Sequence, residues 1–447
     1  MEDVALDNEK LRAEELQAAM ERFRSLLDRE TIDSRQEHGA HAVYTPWVVT
    51  WLMIHQRLHE NAPLTEAVSE LFRLRERLPP HRRIAEETLS ANTGAYSRAR
   101  SRLHPETTEA VADHVFRTLM EGSPPSWEGR RVFLLDGTTS PLASVASLRR
   151  EFPPAVNQHR ASPWPILHWA VAHELASGCA PRPEIGAKYG PNATGEATLA
   201  IRLLPRLPPR SVVIADRNFG VLAFFQAAHE AGHDAVTRLT QARFDAMTRR
   251  ATPLDSGRWE LIWKPSAQER RKHGERSDDV RVPVTLHRVE VVTSEGEPLT
   301  LLLAATLEVS NAQAAELYGL RWRVETDIRD VKAALRLEEL RGKSGPMIRK
   351  ELAMGVTAYN LVIQVRRLAA AQADVSPRRL SFAGSLSLVR TVLLQESDGD
   401  AAAHLRTFRR VLRGCAQRKL PLRAGRKYPR RVLRRGQKYP FRTRPPD

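Results

Sequence analysis

Residues 317–335 read LYGLRWRVETDIRDVKAAL, and two sets of side chains in this stretch have a helical spacing. The polar set stands at intervals of 3, 4 and 7 residues: Tyr318, Arg321, Glu325 and Lys332. At about 100° per residue, these four side chains fall within an arc of about 60° of a helix. The apolar set fills the adjoining arc: Leu317, Leu320, Val324, Ile328, Val331 and Leu335. The stretch therefore predicts a helix with a buried stripe beside a polar one.

The polar stripe of this stretch combines one carboxylate with a phenol, a guanidinium and an ammonium. A carboxylate is a natural ligand of Mg²⁺, and the three donors suit the oxygens of a phosphate. A mixed-charge face beside an apolar stripe is, however, also what most surface helices show. The stretch by itself leaves a solvent-exposed face and the wall of an active site as alternatives, and the rest of the chain decides between them.

Composition and charge indicate a globular protein with one strongly basic end. The chain has 447 residues, of which 42% are hydrophobic, and a net charge of +16. From Arg406 onward 16 Lys and Arg residues stand against a single acid, which leaves 53 basic and 52 acidic residues in 1–405. This tail also contains Tyr428, Tyr439 and Phe441. Its charges and rings suit a nucleic acid, and solvated disorder is the alternative.

Several classes of protein are excluded by what the sequence does not contain. The longest apolar run, residues 299–307, is too short to span a bilayer, and the N-terminus is acidic where a signal peptide is basic. Cys179 and Cys415 are the only cysteines, so neither a disulfide framework nor a zinc cluster is expected. No G-x4-G-K-[ST] loop occurs. We expect a soluble, cytoplasmic protein that uses no membrane and no nucleotide cofactor.

The N-terminal 125 residues are predicted to be helical and to bind DNA. Residues 84–103, IAEETLSANTGAYSRARSRL, suggest a helix, a turn and a second helix. The second helix carries Arg98, Arg100 and Arg102. This arrangement is compatible with a helix-turn-helix reader of DNA, although basic helical hairpins without that function are common.

Two apolar runs each lead to an aspartate, VFLLD at Asp136 and VVIAD at Asp216. Alternating strands and helices here indicate an α/β sheet, in which ligand-binding residues gather at the carboxyl ends of strands. If the two strands are neighbours, the aspartates enter one site, which Glu325 could complete. Three carboxylates favour Mg²⁺ or Mn²⁺, and two such ions could support in-line displacement at phosphorus. Each aspartate could instead be a turn residue or a helix N-cap.

The polar set of residues 317–335 matches, in residue type and spacing, the Y-R-E-K signature of the IS-four family of bacterial insertion-sequence transposases, which the chain therefore resembles. Asp136-Gly-Thr-Thr and Asp216-Arg-Asn-Phe-Gly resemble the first two acidic motifs of that family and come in the same order. The segment TGAYSRAR at 93–100 and the basic tail with its two Tyr-Pro pairs are also similar. The likeness covers most of residues 40–440.

The resemblance implies an RNase H-like core whose two aspartates and one glutamate form a DDE triad. The 109 residues between Asp216 and Glu325 exceed what a compact core needs, and the strand-like residues 241–305 would be an insertion domain. In the family, a Trp of this domain can stack on a flipped base, a role open to Trp259 and Trp263. The alternative for both rings is burial in a small β domain.

By the same resemblance, Tyr318, Arg321 and Lys332 would contact phosphates at the end of the element. Their chemistry permits this, because Arg binds a phosphate through paired hydrogen bonds, Lys acts as a point charge and Tyr offers its hydroxyl. Whether the helical hairpin or the basic tail recognises the ends stays open at this point.

The predicted architecture is α/β, with an RNase H-like core and additions on each side. Its parts are an N-terminal helical domain (1–125), the first part of the core (126–240), a β-rich insertion domain (241–305), the second part of the core (306–375), and a C-terminal helical region with the basic tail (376–447).

The predicted function is cut-and-paste DNA transposition in the bacterial cytoplasm, at the nucleoid. Hydrolysis at each element end would give a 3′-OH that attacks target DNA, with Asp136, Asp216 and Glu325 holding two Mg²⁺ or Mn²⁺ ions. Two ends to be joined suggest a homodimer on DNA. The alternatives are an RNase H-like nuclease or recombinase that does not transpose, and a non-catalytic DNA-binding relative.

Overall fold

The computed structural model describes residues 25–73, 89–156, 161–266, 280–292, 296–390 and 401–421, together with residues 18 and 21. Two predicted features fall largely outside these ranges. They are the first helix of the predicted helix-turn-helix and residues 422–447 of the basic tail, with Tyr428, Tyr439 and Phe441. Within the described ranges, no helix is both long and apolar enough to cross a membrane.

The N-terminal part is helical, as predicted. Its helices are α1 (Arg29–Asp33), α2 (Pro46–Leu58), α3 (Leu64–Arg73), α4 (Gly94–Arg102) and α5 (Pro105–Glu121). The start of α2 follows from its sequence, because the Thr45 hydroxyl accepts a hydrogen bond from the Val48 amide, and Pro46 occupies the first turn, where no amide hydrogen is needed. The second helix of the predicted hairpin is α4.

One sheet runs through the molecule, and ten of its strands lie in the described ranges. These are β1 (Val132–Pro141), β2 (Pro154–Val156), β3 (Ala161–Glu174), β4 (Glu184–Ala187), β5 (Val212–Ala215), β6 (Asp234–Arg238), β7 (Thr252–Asp255), β8 (Arg258–Trp263), β9 (Val282–Val292) and β10 (Pro298–Ala305). The order is β2-β3-β1-β5-β6-β10-β9-β8-β7, with β4 beside β3.

Five of these strands have the arrangement of an RNase H-like core. β3 is antiparallel to β1 and β4, while β5 and β6 run parallel to β1. All four residues of β5 are buried, Val213 and Ala215 in one apolar cluster and Val212 and Ile214 in another. A parallel strand covered on both faces needs such an uninterrupted apolar run. The predicted α/β class and RNase H-like core are confirmed.

The β-rich block predicted for residues 241–305 is present, but it does not form a sheet of its own. β10 pairs antiparallel with β6 through Leu303 and Arg238, and β9, β8 and β7 follow outward. The free edge of β6 would otherwise expose unpaired backbone groups, and β10 pairs with them instead. The insertion therefore extends the core sheet.

In the described ranges, four helices connect strands of the sheet and five follow it. The connecting helices are α6 (Ala146–Glu151), α7 (Glu196–Leu203), α8 (Leu222–Glu230) and α9 (Gln241–Thr248). Those that follow are α10 (Asn311–Gly319), α11 (Arg323–Arg329), α12 (Gly345–Gln372), α13 (Phe382–Leu388) and α14 (Ala401–Gln417). The long helix α12 packs against α2, α5 and α14, and thereby joins the N-terminal helices to the C-terminal ones.

The start of the basic tail is a packed helix rather than an extended segment. In α14 the apolar residues Phe408, Val411, Leu412 and Cys415 are buried. Arg406, Arg410 and Arg413 are exposed on its other side. These apolar residues recur at helical spacing, so residues 401–417 form a packed helix with a basic outer side.

Candidate active site

Asp136 and Asp216 lie side by side at the carboxyl end of β5. β1 and β5 pair in parallel, and the last pair joins Leu134 to Ile214. Each aspartate comes two residues after its member of that pair, so the two occupy equivalent positions on neighbouring strands. Neighbouring strands lie about 4.8 Å apart, which brings the two carboxylates into one site. The structure thus brings together the two aspartates that the sequence selected.

The predicted strand ends are right for Asp216 and wrong for Asp136. β5 ends at Ala215, and the Asp216 carboxylate accepts a hydrogen bond from the Asn218 amide at 2.8 Å, so it also caps the short helical turn that follows. β1 continues past Asp136, which pairs with Val171 of β3, to Pro141. The site therefore lies where β5 ends, while β1 continues past it and stays paired with β3.

The Asp136 carboxylate is half-buried and lies near both positively and negatively charged side chains. Its Oδ1 accepts a hydrogen bond from the Gly137 amide at 2.8 Å, and its Oδ2 lies 3.9 Å from Nη1 of Arg321. Burial raises the pKa of Asp136 to about 6, and the carboxylates of Glu196 and Asp216 add to the rise. A cation in this site would favour the ionised carboxylate and offset the cost of burial.

Glu196, the first residue of α7, is a third acid at this site that the sequence analysis missed. Its Oε2 lies 3.4 Å from the Asn218 amide nitrogen Nδ2, which donates to it. Burial raises the pKa of Glu196, and Asp216 raises it further. The local sequence of Glu196 offers no signal for this position, because only the packing of α7 against β1 and β3 brings it there.

The signature residues Tyr318 and Arg321 line the same site from the facing helix. Arg321 is only 8% exposed, and its guanidinium lies 4.4 Å from the ring centre of Trp322. Burial raises the pKa of Tyr318, the nearby Arg321 charge acts against that rise, and the Asp216 carboxylate adds to it. Trp322 itself is 62% exposed, an unusual position for a large apolar ring.

Lys332 fastens the far end of the signature stretch to β1. Its Nζ donates hydrogen bonds to Oγ1 of Thr138 at 3.1 Å and to the carbonyl of Thr139 at 2.8 Å. Arg321 contacts β1 at Asp136, so the two cations contact the strand on either side of Gly137. Three of the four signature residues therefore face the site.

Glu325 lies between these cations along the helix, and it is exposed. It forms no hydrogen bond or ion pair with any residue in the described ranges. Two residues later, Asp327 is 1% exposed and binds Arg378 through two hydrogen bonds of 2.8 and 2.9 Å. Neither Asp327 nor Arg378 could be predicted from the sequence, since nothing near Asp327 in the chain indicates a partner 51 residues away.

The carboxylates provide oxygen ligands for a divalent cation, although no complete three-residue metal site is formed. In the part of the chain that the structure describes, no three His, Cys, Asp or Glu side chains are close enough to hold one ion between them. Asp136, Asp216 and Glu196 nevertheless offer hard oxygen donors in a half-buried place opposed by one arginine. This donor chemistry fits Mg²⁺ or Mn²⁺ and does not fit a softer metal.

The predicted arginines of α4 divide into two kinds. Arg98 and Arg102 are exposed, and a contact with DNA stays a prediction for both. Arg100 lies 2.9 Å from the Glu351 carboxylate of α12, which also binds Arg57 at 2.9 Å. The expectation that Arg100 contacts DNA is corrected, because this guanidinium is engaged in joining the N-terminal helices to α12.

The two tryptophans of the β-rich block pack against aromatic side chains. Trp263 is 7% exposed, with its ring centre 5.2 Å from that of Phe225. Trp259 is half-buried and meets Phe244 edge to face at 5.7 Å. Burial, the alternative in the sequence analysis, describes Trp263, and a ring enclosed in this way has no free face for a base. A base-stacking role stays a prediction for Trp259.

Comparison with known proteins points to one family. The family model described as Transposase DDE domain matches residues 127–361, which include the whole sheet, both aspartates and the signature stretch. The transposase InsG for insertion sequence element IS4 of Escherichia coli (strain K12) is 25% identical to this chain over 403 residues. The match covers 88% of this chain and 86% of the relative.

Proposed function

Because the chain belongs to the Transposase DDE domain family, we propose that it moves an insertion sequence by a cut-and-paste route, with Asp136, Asp216 and Glu325 as its catalytic triad. As a DDE transposase, it is a metal-dependent enzyme whose substrate is DNA. The observation that carries the proposal is the matched register of Asp136 and Asp216 on adjacent parallel strands, with the signature stretch facing them.

In the proposed mechanism, the aspartates act from a rigid sheet and the glutamate acts from the facing helix. With two divalent cations bound, Mg²⁺ or Mn²⁺, the site would gain an activated attacking oxygen and a stabilised leaving oxygen. Asp136 and Asp216 would hold the cations from neighbouring strands. Glu325, exposed on the helix across from them, would complete the set when DNA is bound.

The reaction would proceed in two phosphoryl transfers at the same carboxylates. In the first, water attacks the phosphorus at an element end, and the bond to the 3′ oxygen breaks to leave a 3′-OH. In the second, this hydroxyl attacks a phosphorus of the target strand, and the target 3′ oxygen leaves. One phosphodiester bond is exchanged for another in the second step, so neither a covalent protein intermediate nor a nucleotide is needed.

The cations and rings around the carboxylates suit a DNA backbone. We assign phosphate contacts to Arg321, Tyr318 and Lys332, of which Arg321 lies beside Asp136 and Lys332 contacts β1 at Thr138. The exposed ring of Trp322, stacked on Arg321, offers a surface for a base at the end of the element. Arg98 and Arg102 of α4 would reach flanking phosphates. Because an element has two ends, a homodimer on DNA is the expected assembly.

A strand-transfer assay with the purified full chain tests the proposed function. A plasmid carrying the gene with its own flanking DNA is incubated with the protein and labelled target DNA in Mg²⁺. Excision of the element and its covalent joining to the target would support the proposal. Cutting without joining would favour the nuclease alternative. DNA binding without nicking in Mg²⁺ or Mn²⁺ would favour the non-catalytic one.

A further inference from the structure

Three carboxylates meet at the carboxyl end of β5, and in the described ranges only one cation lies within ion-pair distance of them. That cation is Arg321, 3.9 Å from Asp136. Neither Asp216 nor Glu196 has an ion pair with a described Lys, Arg or His. Lys188 is near enough to affect Glu196 only at longer range. Negative charge therefore exceeds positive charge in a half-buried place, which is costly unless a cation is added.

The Glu196 carboxylate is held inside the site, against the peptide that follows Asp136. A Cβ atom on Gly137 would lie 1.7 Å from Oε1 of Glu196, so the carboxylate occupies the space of the missing side chain. The Asn218 side chain, two residues beyond Asp216, donates to the other oxygen. Glu196 is thus in contact with the chain next to each aspartate.

A purely structural role for Glu196 does not require this position. An acidic residue in the first turn of a helix is favoured by the helix dipole, and a side chain extended into solvent would gain that interaction equally well. Instead, the side chain is turned inward beside two other acids, and the strand beneath it carries a glycine. A cation in the site would offset the repulsion among the three acids.

We propose that Glu196 is a fourth carboxylate of the metal site, which acts through a bridging water on a divalent cation that Asp136 and Asp216 retain before DNA binds. This inference rests on the proposed function, since it takes the two aspartates as metal ligands. A water-mediated role suits Mg²⁺ and Mn²⁺, because these ions prefer six oxygen ligands and usually keep waters among them. Glu325, which is exposed, contributes only when DNA is present.

The test is a Mn²⁺ titration of the DNA-free full chain, followed by electron paramagnetic resonance of the free ion. Glu196→Gln keeps the size and the Asn218 hydrogen bond but removes the charge, and should weaken Mn²⁺ binding about 10- to 100-fold. Glu230→Gln, which alters an exposed glutamate at the end of α8, is the matched control and should have no effect.

A second measurement uses the unaltered chain and does not depend on a variant folding correctly. With hydrogen peroxide as oxidant and ascorbate to regenerate the ion, Fe²⁺ bound in place of Mg²⁺ generates hydroxyl radicals that cut the backbone close to it. Cuts are expected beside Asp136, Asp216 and Glu196 in the absence of DNA.

The outcomes separate this inference from the proposed function. The inference would be overturned if Glu196→Gln bound Mn²⁺ with wild-type affinity and no cut occurred near residue 196, while Asp136→Asn still bound Mn²⁺ more weakly. Wild-type affinity in Asp136→Asn and Asp216→Asn would instead contradict the assignment of the metal site itself.

Discussion

Two helical stretches of the core, residues 311–334 and 345–372, differ in regularity and in what their polar residues contact. α12 runs for 28 residues without a break. The other stretch, the broken helix, consists of α10, a 3₁₀ turn, α11 and a π-helical turn over Asp330–Ala334. Irregular turns of this kind often occur in helices at functional sites, where they change the direction of side chains.

The polar side chains of the two stretches have different roles. In α12, Lys350 and Glu351 are buried and bind groups of the N-terminal helices. In the broken helix, Arg321 and Lys332 reach β1 and Glu325 is exposed. α12 thus joins the parts of the molecule, whereas the broken helix directs side chains toward the carboxylates. Changes in α12 should therefore affect stability, and changes in the broken helix should affect chemistry.

Glu351→Ala in α12 should cause the largest loss of stability. It removes the shared partner of Arg57 and Arg100, and breaking a buried charge network costs about 3–5 kcal/mol. Urea unfolding measures the free energy, and Mn²⁺ affinity should stay unchanged in the folded protein. Glu121→Ala, at an exposed glutamate, is the control. A decrease below about 1 kcal/mol would contradict the joining role of α12.

Asp327→Asn should cause a smaller loss of stability but a large loss of cleavage. The amide keeps part of the hydrogen bonding to Arg378 but not the charge, so unfolding should become easier by about 1–3 kcal/mol. Because Glu325 precedes Asp327 by two residues, its displacement should slow end cleavage by about 100-fold while end binding persists. Asp255→Asn, in an exposed ion pair, is the control. Cleavage at the wild-type rate would show that the ion pair between Asp327 and Arg378 is not needed for catalysis.

Lys332→Ala should change stability little and DNA binding clearly. Removal of its hydrogen bonds to Thr138 and Thr139 should cost less than about 1.5 kcal/mol, because the side chain is half-exposed. If Lys332 meets a phosphate, the slope of log affinity against log salt should fall by about one. Lys332→Arg should restore the slope. A slope equal to wild type in the alanine variant would show that Lys332 only fastens the helix to β1.

The basic side of α14 should show no effect on folding. Changing Arg406, Arg410 and Arg413 together to Gln should alter the free energy of unfolding by less than about 0.5 kcal/mol, since all three are exposed. For each of these arginines that binds a phosphate, the salt slope of end binding should fall by about 0.9. Fluorescence anisotropy at several salt concentrations measures the slope. An unchanged slope would mean that this side of α14 does not touch DNA.

The sequence predicted those parts of the site that depend on local spacing. VFLLD and VVIAD identified the strands that carry Asp136 and Asp216, and the helical period placed Arg321 and Lys332 on the side that faces them. The continuation of β1 beyond Asp136 could not be predicted, because it depends on pairing with β3 from a distant part of the chain.

The remaining features depend on contacts between distant segments. Glu196 reaches the site only through the packing of α7, and Asp327 is buried only because Arg378 returns from beyond α12. A helical wheel with a uniform 100° per residue does not describe side-chain directions across the 3₁₀ turn at Leu320–Trp322, where each residue turns the chain by about 120°. The strand pattern predicted the β-rich block. Its pairing with β6 could not be predicted, because the sequence does not show which strand of the core has an unpaired edge.

Asp136 and Asp216 are proposed as the catalytic pair of a transposase that the broken helix completes. The sharpest experiment compares end cleavage and end binding by wild type, Asp216→Ala and Asp136→Ala, using a plasmid with the element's own ends in Mg²⁺. Each variant should bind the ends with wild-type affinity and yield no detectable cleavage. Cleavage retained by purified Asp216→Ala would contradict the assignment of the pair.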